Sequence, residues 1–171
     1  EIKMKIPYKK EVLHQSIETS IRGKTYKPSD IRYLIDQFYG LPIVGTQKKI
    51  EYYDIPFSFD IETSSAKIPY MEKEQEKVAF LYEWSFCFYG YTIIGRTWEE
   101  FEDMLKEIVE ILNLSLNTRM IIYVHNLSYE FQFMRKWFNW DKVFAVKSRT
   151  PVYAVTDKGI EFRCSLILSG L

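Results

Sequence analysis

At 171 residues the chain is long enough to bury a substantial core in one domain, and thirteen Tyr, twelve Phe and four Trp exclude a disordered polymer. Two cysteines without a Cys-x-x-Cys or a nearby His exclude a disulfide framework and a zinc site. With no run of 18 apolar residues and no leader-like N-terminus, a soluble protein of a reducing compartment is expected. Lys plus Arg equals Asp plus Glu at 23 each, but residues 1–53 hold ten basic and six acidic side chains, leaving a more acidic remainder. A basic lead segment beside an acidic body suits a polyanion that is gripped and then presented to metal ions, and equally suits an uneven surface without a partner.

Residues 1–53 read as a basic, partly helical N-terminal extension. Lys3, Lys5, Lys9 and Lys10 make its first part a docking arm or a solvated terminus. A short amphipathic helix is predicted within Pro28 to Gly40, capped at Ser29 or Asp30, with apolar residues at 31, 34, 35 and 38. From Phe57 the pattern becomes that of strands. Phe57-Ser-Phe-Asp-Ile-Glu-Thr63 is followed by a polar connection through Glu72 to Lys77, by an alternating strand from Val78 to Tyr89, and after Gly90 by Tyr91 to Ile94. These three strands are expected to form an antiparallel meander. Thr97-Trp-Glu-Glu100 is a capping box, and Trp98, Phe101, Leu105, Ile108 and Leu112 behind it predict a helix over about 98–113.

Met120 to His125 is a compact apolar strand leading into a helical segment within 126–138, where Tyr129, Phe133, Trp137 and Phe138 recur at helical spacing and Ser128 can cap. Glu130 then falls in the first turn, near the strand's carboxyl end, where open α/β sheets collect their ligands. Lys142 to Val146 predicts a further strand, and Tyr153 to Thr156, Asp157-Lys-Gly159 and Ile160 to Cys164 a hairpin. The chain begins at Glu1 without a Met and stops at Leu171 within an apolar run, as expected of a piece of a longer protein.

The chemistry gathers at Asp60 and Glu62. Side chains alternate along a strand, so the two carboxylates point one way while Phe59 and Ile61 point into packing. Acids ending an apolar strand need counter-ions, and oxygen ligands suit a divalent metal. Alone, Asp-x-Glu is a pattern that chance supplies roughly once in a chain of this length, so its weight rests on the motifs C-terminal to it.

The set Phe59-Asp-Ile-Glu-Thr63, three strands, a helix, Tyr123-Val-His-Asn-Leu-Ser-Tyr-Glu130, a hairpin and Ser165-Leu166 resembles the exonuclease domain of protein-primed family B DNA polymerases of bacteriophages. These belong to the DEDD superfamily of 3′–5′ exonucleases. The resemblance spans about residues 57–171 and implies a ribonuclease-H-like α/β fold over residues 54–171, a mixed sheet flanked by helices, C-terminally incomplete. It implies that Asp60, Glu62 and Glu130 are catalytic ligands of two Mg²⁺ or Mn²⁺ ions. Thr63, Asn126, Tyr129, Phe133, Ser165 and Leu166 would contact single-stranded DNA. Expected partners are single-stranded and primer-template DNA and a terminal priming protein, with no membrane, for a monomer in the cytoplasm of an infected bacterial host.

Three departures stand out. The second motif of the family carries Asp where this chain has Glu130, whose extra methylene adds about 1.5 Å of reach. The hydrophobic residue expected three positions after Leu166 is Ser169. The third motif, a Tyr separated by three residues from the fourth acid, is expected beyond Leu171; Tyr153 and Asp157 mimic its arrangement, but Asp157 sits in a predicted hairpin turn beside Gly159. His125, one of two histidines, is expected to order Asn126 or to pack beneath the site, with direct proton transfer the lesser reading. Trp137, Phe138 and Trp140 are read as core or domain contacts, and Phe133 as either core or base-stacking. A free-standing DEDD nuclease and a catalytically silent single-strand-binding or docking module are the competing functions.

Overall fold

The computed structural model describes residues 23–36, 43–45, 49–67 and 77–169. The basic arm, the Phe38 and Gly40 end of the first helix, the connection over 72–76 and the chain's last two residues lie outside the described residues. The described chain is an α/β fold with a mixed sheet and flanking helices. A 3₁₀ turn, Pro28–Asp30, runs into helix α1, Ile31–Asp36. The N-cap is Lys27, two residues before the expected Ser29, and Asp30, the third residue of the turn, accepts the Lys27 N–H on its carboxylate at 2.9 Å. Two short strands come next, β1 (Ile43–Gly45) and β2 (Glu51–Tyr53), which pair with each other.

The expected meander forms from β3 (Phe57–Lys67), β4 (Lys77–Phe88) and β5 (Tyr91–Gly95). Helix α2 spans Trp98–Leu112, and its capping box is made as expected: Glu100 N–H donates to Thr97 Oγ1 at 3.2 Å and Thr97 N–H to Glu100 Oε2 at 3.2 Å. Next come β6 (Thr118–Val124), helix α3 (Leu127–Met134), β7 (Trp140–Lys147), β8 (Thr150–Thr156), β9 (Ile160–Cys164) and a last turn, α4 (Ser165–Leu168). The sheet order is β5-β4-β3-β6-β9-β8-β7. β3, β6 and β9 are parallel neighbours, and the pairs on either side of them are antiparallel.

Register explains the core. Ile61 and Phe59 of β3 lie opposite Trp84 and Phe86 of β4. On the other side, Phe57 and Phe59 lie level with Ile122 and Val124 of β6, which in turn lie opposite Phe162 and Cys164 of β9. One face of these strands is thus apolar without a break, and Phe101 of α2 closes over it, stacking on Phe59 with ring centroids 4.2 Å apart. Gly95 is required there, because a Cβ would fall inside the Trp84 indole. Residues of the N-terminal extension share this core: Ile31 and Leu34 are fully buried in it, and β2 pairs in parallel with the start of β6. Among the described residues no helix is long and apolar enough to cross a membrane.

Candidate active site

Parallel pairing along the three central strands stops at one level. Phe59 lies opposite Val124, and Val124 opposite Cys164. The next residues along them, Asp60, His125 and Ser165, therefore stand in a row where that pairing stops: just past the carboxyl ends of β6 and β9, where ligands of a parallel sheet collect, and at the fourth residue of β3, which runs on beyond the expected Thr63 to Lys67 paired with β4. Ser165 Oγ donates to the Val124 carbonyl at 3.4 Å and lies 3.5 Å from His125 Nδ1, which ties the Ser-Leu turn to the end of β6. The partner of His125 is thus Ser165, and the imidazole is exposed and not packed beneath the site. Leu166 packs against the core, half-buried.

Asp60 and Glu62 are both exposed, and Phe59 and Ile61 are buried, as strand alternation requires. Glu62 sits directly opposite Glu83 on β4, beside a bulge between Glu62 and Thr63 that leaves Tyr82 outside the ladder. Arg96 reaches Glu83 at 3.5 Å. None of the ion pairs among the described residues includes Asp60, Glu62 or Glu130.

Helix α3 brings the third acid. Asn126 is its N-cap, in the left-handed region at φ 62° and without a side-chain capping bond, so the expected cap at Ser128 is not made; Ser128 lies inside the first turn. The buried stripe of α3 is Leu127, Glu130 and Met134, which leaves the predicted aromatic stripe of Tyr129 and Phe133 on a more open side. The helix stops at Met134, short of the expected span, and Trp140 Nε1 donates to the Arg135 carbonyl at 3.1 Å as the chain turns away. Glu130 is 4% exposed, and its Oε2 has no hydrogen-bond partner. Burial, reinforced by the negative charge of Asp60 and opposed by a backbone hydrogen bond, pushes its carboxyl from the ordinary 4.5 up to about 7.

Tyr129 links α3 to the first motif through a hydrogen bond between its hydroxyl and Thr63 Oγ1. Its ring stays 39% exposed and meets Phe133 edge-on at 5.3 Å. The structure thus brings Asp60 and Glu130 within electrostatic reach and joins Thr63, Tyr129 and Phe133 in one chain of contacts. It does not gather a closed acid cage: among the described residues no three acidic, His or Cys side chains are placed to hold one metal ion. Asp157 lies in the turn before β9, at the end of the sheet opposite Asp60, as its hairpin reading requires.

Sequence reasoning passed over Glu83, because its place opposite Glu62 depends on a register that the bulge shifts. Compared with protein-family models, with curated proteins and with solved structures, this chain matches none.

Proposed function

We propose that this chain is the N-terminal 3′–5′ proofreading exonuclease portion of a phage protein-primed family B DNA polymerase, with a ribonuclease-H-like fold. The observation that carries the reading is a buried Glu130 carboxylate with an unpartnered oxygen that lies within electrostatic reach of Asp60, which stands where the parallel pairing of β3 with β6 stops. Two ionised carboxylates in that relation are mutually destabilising unless a cation joins them, and otherwise one of them keeps its proton. The strand order supports the fold reading: three antiparallel strands at one side, then two strands parallel to the first, with helices between.

The acids fit a hard divalent cation, Mg²⁺ or Mn²⁺, as oxygen donors lacking any other counter-ion. Asp60, Glu62 and Glu130 would hold two such ions, with the missing ligands coming from water, substrate or the acid expected after Leu171. When bound, the metals supply an activated water and neutralise charge on the departing 3′ oxygen. The chain's own groups do the rest. Glu130 must give up its proton before it can act as a ligand, so the metal-free chain should take up the cation more tightly as pH rises toward about 7. Tyr129, its hydroxyl fixed by Thr63, offers an open ring on which an unpaired terminal base can stack whatever its sequence. Asn126, Ser165 and Leu166 line the same end of the sheet and would hold the frayed strand, with Phe133 behind Tyr129. An unpaired end costs less to unstack than a matched one and so reaches these groups more often, which is proofreading in physical terms. The products would be nucleoside monophosphates, the partners primer-template DNA and a terminal protein, and the setting the cytoplasm of an infected bacterium.

The test is release of label from 3′-labelled single-stranded DNA in Mn²⁺. Wild-type chain should release it, slowly, and Asp60→Ala with Glu62→Ala should abolish the release; equal rates would refute the assignment. The absence of a closed three-acid cluster among the described residues favours one rival, a catalytically silent module that binds single strands. Such a module would bind short single-stranded DNA equally well in chelator and in metal.

A further inference from the structure

Beside the acid site lies an open cleft of about 650 Å³ between the outer half of β4, the start of α2 and the residues just after α3. That volume lies within the range of sites that hold an organic ligand. Its walls combine aromatic rings with cations. Phe80 is 45% exposed, Trp98 and Trp137 stack on each other at 6.4 Å, and Phe133 enters from α3. Arg135 and Lys136 line the same cleft, are exposed, and take part in none of the ion pairs among the described residues. Arg96 adds a third positive charge, shared with Glu83, against the single acid Glu99.

The candidate acids do not line the cleft, but two contacts join its walls to their neighbours. Leu81 in its wall pairs with Thr63, the residue after Glu62, and Phe133 touches Tyr129, which is bonded to Thr63. Core packing accounts for Phe138 and Trp140, which meet Phe162, but it does not account for the open face of Phe80 or the two uncompensated cations. Alternating rings and positive charge suit a single-stranded polynucleotide, whose bases stack without sequence preference and whose phosphates take the cations.

We propose that this cleft holds the internal nucleotides of the single strand whose 3′ end lies at Asp60, with Arg135 and Lys136 on its phosphates and Phe80, Phe133 and Trp137 under its bases. The proposal rests on the nuclease reading and adds to it a second binding region that measures strand length and not base identity.

Fluorescence anisotropy in chelator with oligothymidylates of four and twelve nucleotides tests it, using the whole chain and its Arg135→Glu, Lys136→Glu double variant. Wild type should bind the twelve-mer at least tenfold tighter than the four-mer. The double variant should lose most of that gain, and its dependence of log affinity on log salt should fall by about 1.4, the share of two single-strand phosphates. Phe80→Ala, a truncation at an exposed position, should weaken the twelve-mer by about 5- to 100-fold without a change in melting temperature. An unchanged length gain in both variants overturns the cleft, as does equal competition by polyglutamate, which would mark an acidic peptide as the occupant. If wild type bound neither oligonucleotide and released no nucleotide in Mn²⁺, the nuclease reading itself would fall. Release of nucleotide with an unchanged length gain in the variants would overturn the cleft alone.

Discussion

Two buried carboxylates in this fold have the same exposure and opposite surroundings. Glu161 on β9 and Glu130 on α3 are each 4% exposed. Glu161 accepts from Arg163 at 2.7 and 3.2 Å and has Arg119 at 3.6 Å, so its charge is more than compensated. Arg163 is held in turn over the Tyr52 ring at 5.4 Å, which fastens β2 to the sheet. Glu130 has an orphan oxygen and, as its charged neighbour, another acid, Asp60. Burial of an acid is therefore no sign of function by itself; the identity of its neighbours separates a structural ion cluster from a cation site.

The same chemical change should have opposite effects at the two positions. Glu161→Gln leaves two arginines sharing a neutral partner and should destabilise by about 3–5 kcal/mol in chemical unfolding at pH 8. Stabilisation there would erase the contrast. Glu130→Gln should stabilise the metal-free protein at pH 8, by up to about 3 kcal/mol, since the ionised carboxylate is the disfavoured form. The raised carboxyl also fixes the sign of the pH dependence. Below about 4.5 Glu130 is protonated in both folded and unfolded chains and contributes no pH dependence. As pH rises toward about 7 the unfolded chain releases the proton first, so the stability of wild type falls across that window and the Glu130→Gln difference grows with it. Unfolding curves at pH 4, 6 and 8 would show a parallel offset instead if Glu130 were not the group responsible.

A smaller effect sharpens the functional side. Tyr129→Phe removes the Thr63 hydrogen bond at an exposed site and should cost about 1 kcal/mol or less in stability, while keeping the ring for stacking. Single-strand affinity should then change little, whereas Tyr129→Ala should lower it by about 5-fold or more in the same anisotropy assay. Equal loss in both variants would make the hydroxyl, and not the ring, the binding element.

Much of the fold was legible because its signals are local. The capping box at Thr97 and the apolar spacing behind it place α2 almost to the residue, and alternation in Phe80 to Phe88 marks β4. β2 was not legible: three residues are too few to show a period, and its position is set by pairing with Thr118 and Arg119 far along the chain. The site was legible as residue types on strands, since Asp60 and Ser165 need only the strands to be recognised, but the run of β3 past Thr63 to Lys67 was not. The inward turn of Glu130 was not, because an acid in the first turn of a helix ordinarily faces water, and the aromatic residues at 129 and 133 suggested a different buried side. The cleft escaped for a similar reason. Phe80 lies far in sequence from Arg135 and Lys136, and only the sheet and the turn after Met134 bring them together.

Calorimetric titration of Mn²⁺ at pH 8 into wild-type chain and into Asp60→Asn with Glu130→Gln tests the central claim most directly. The acid pair as a cation site predicts saturable binding to wild type that the double variant loses. Equal binding by both proteins would contradict it.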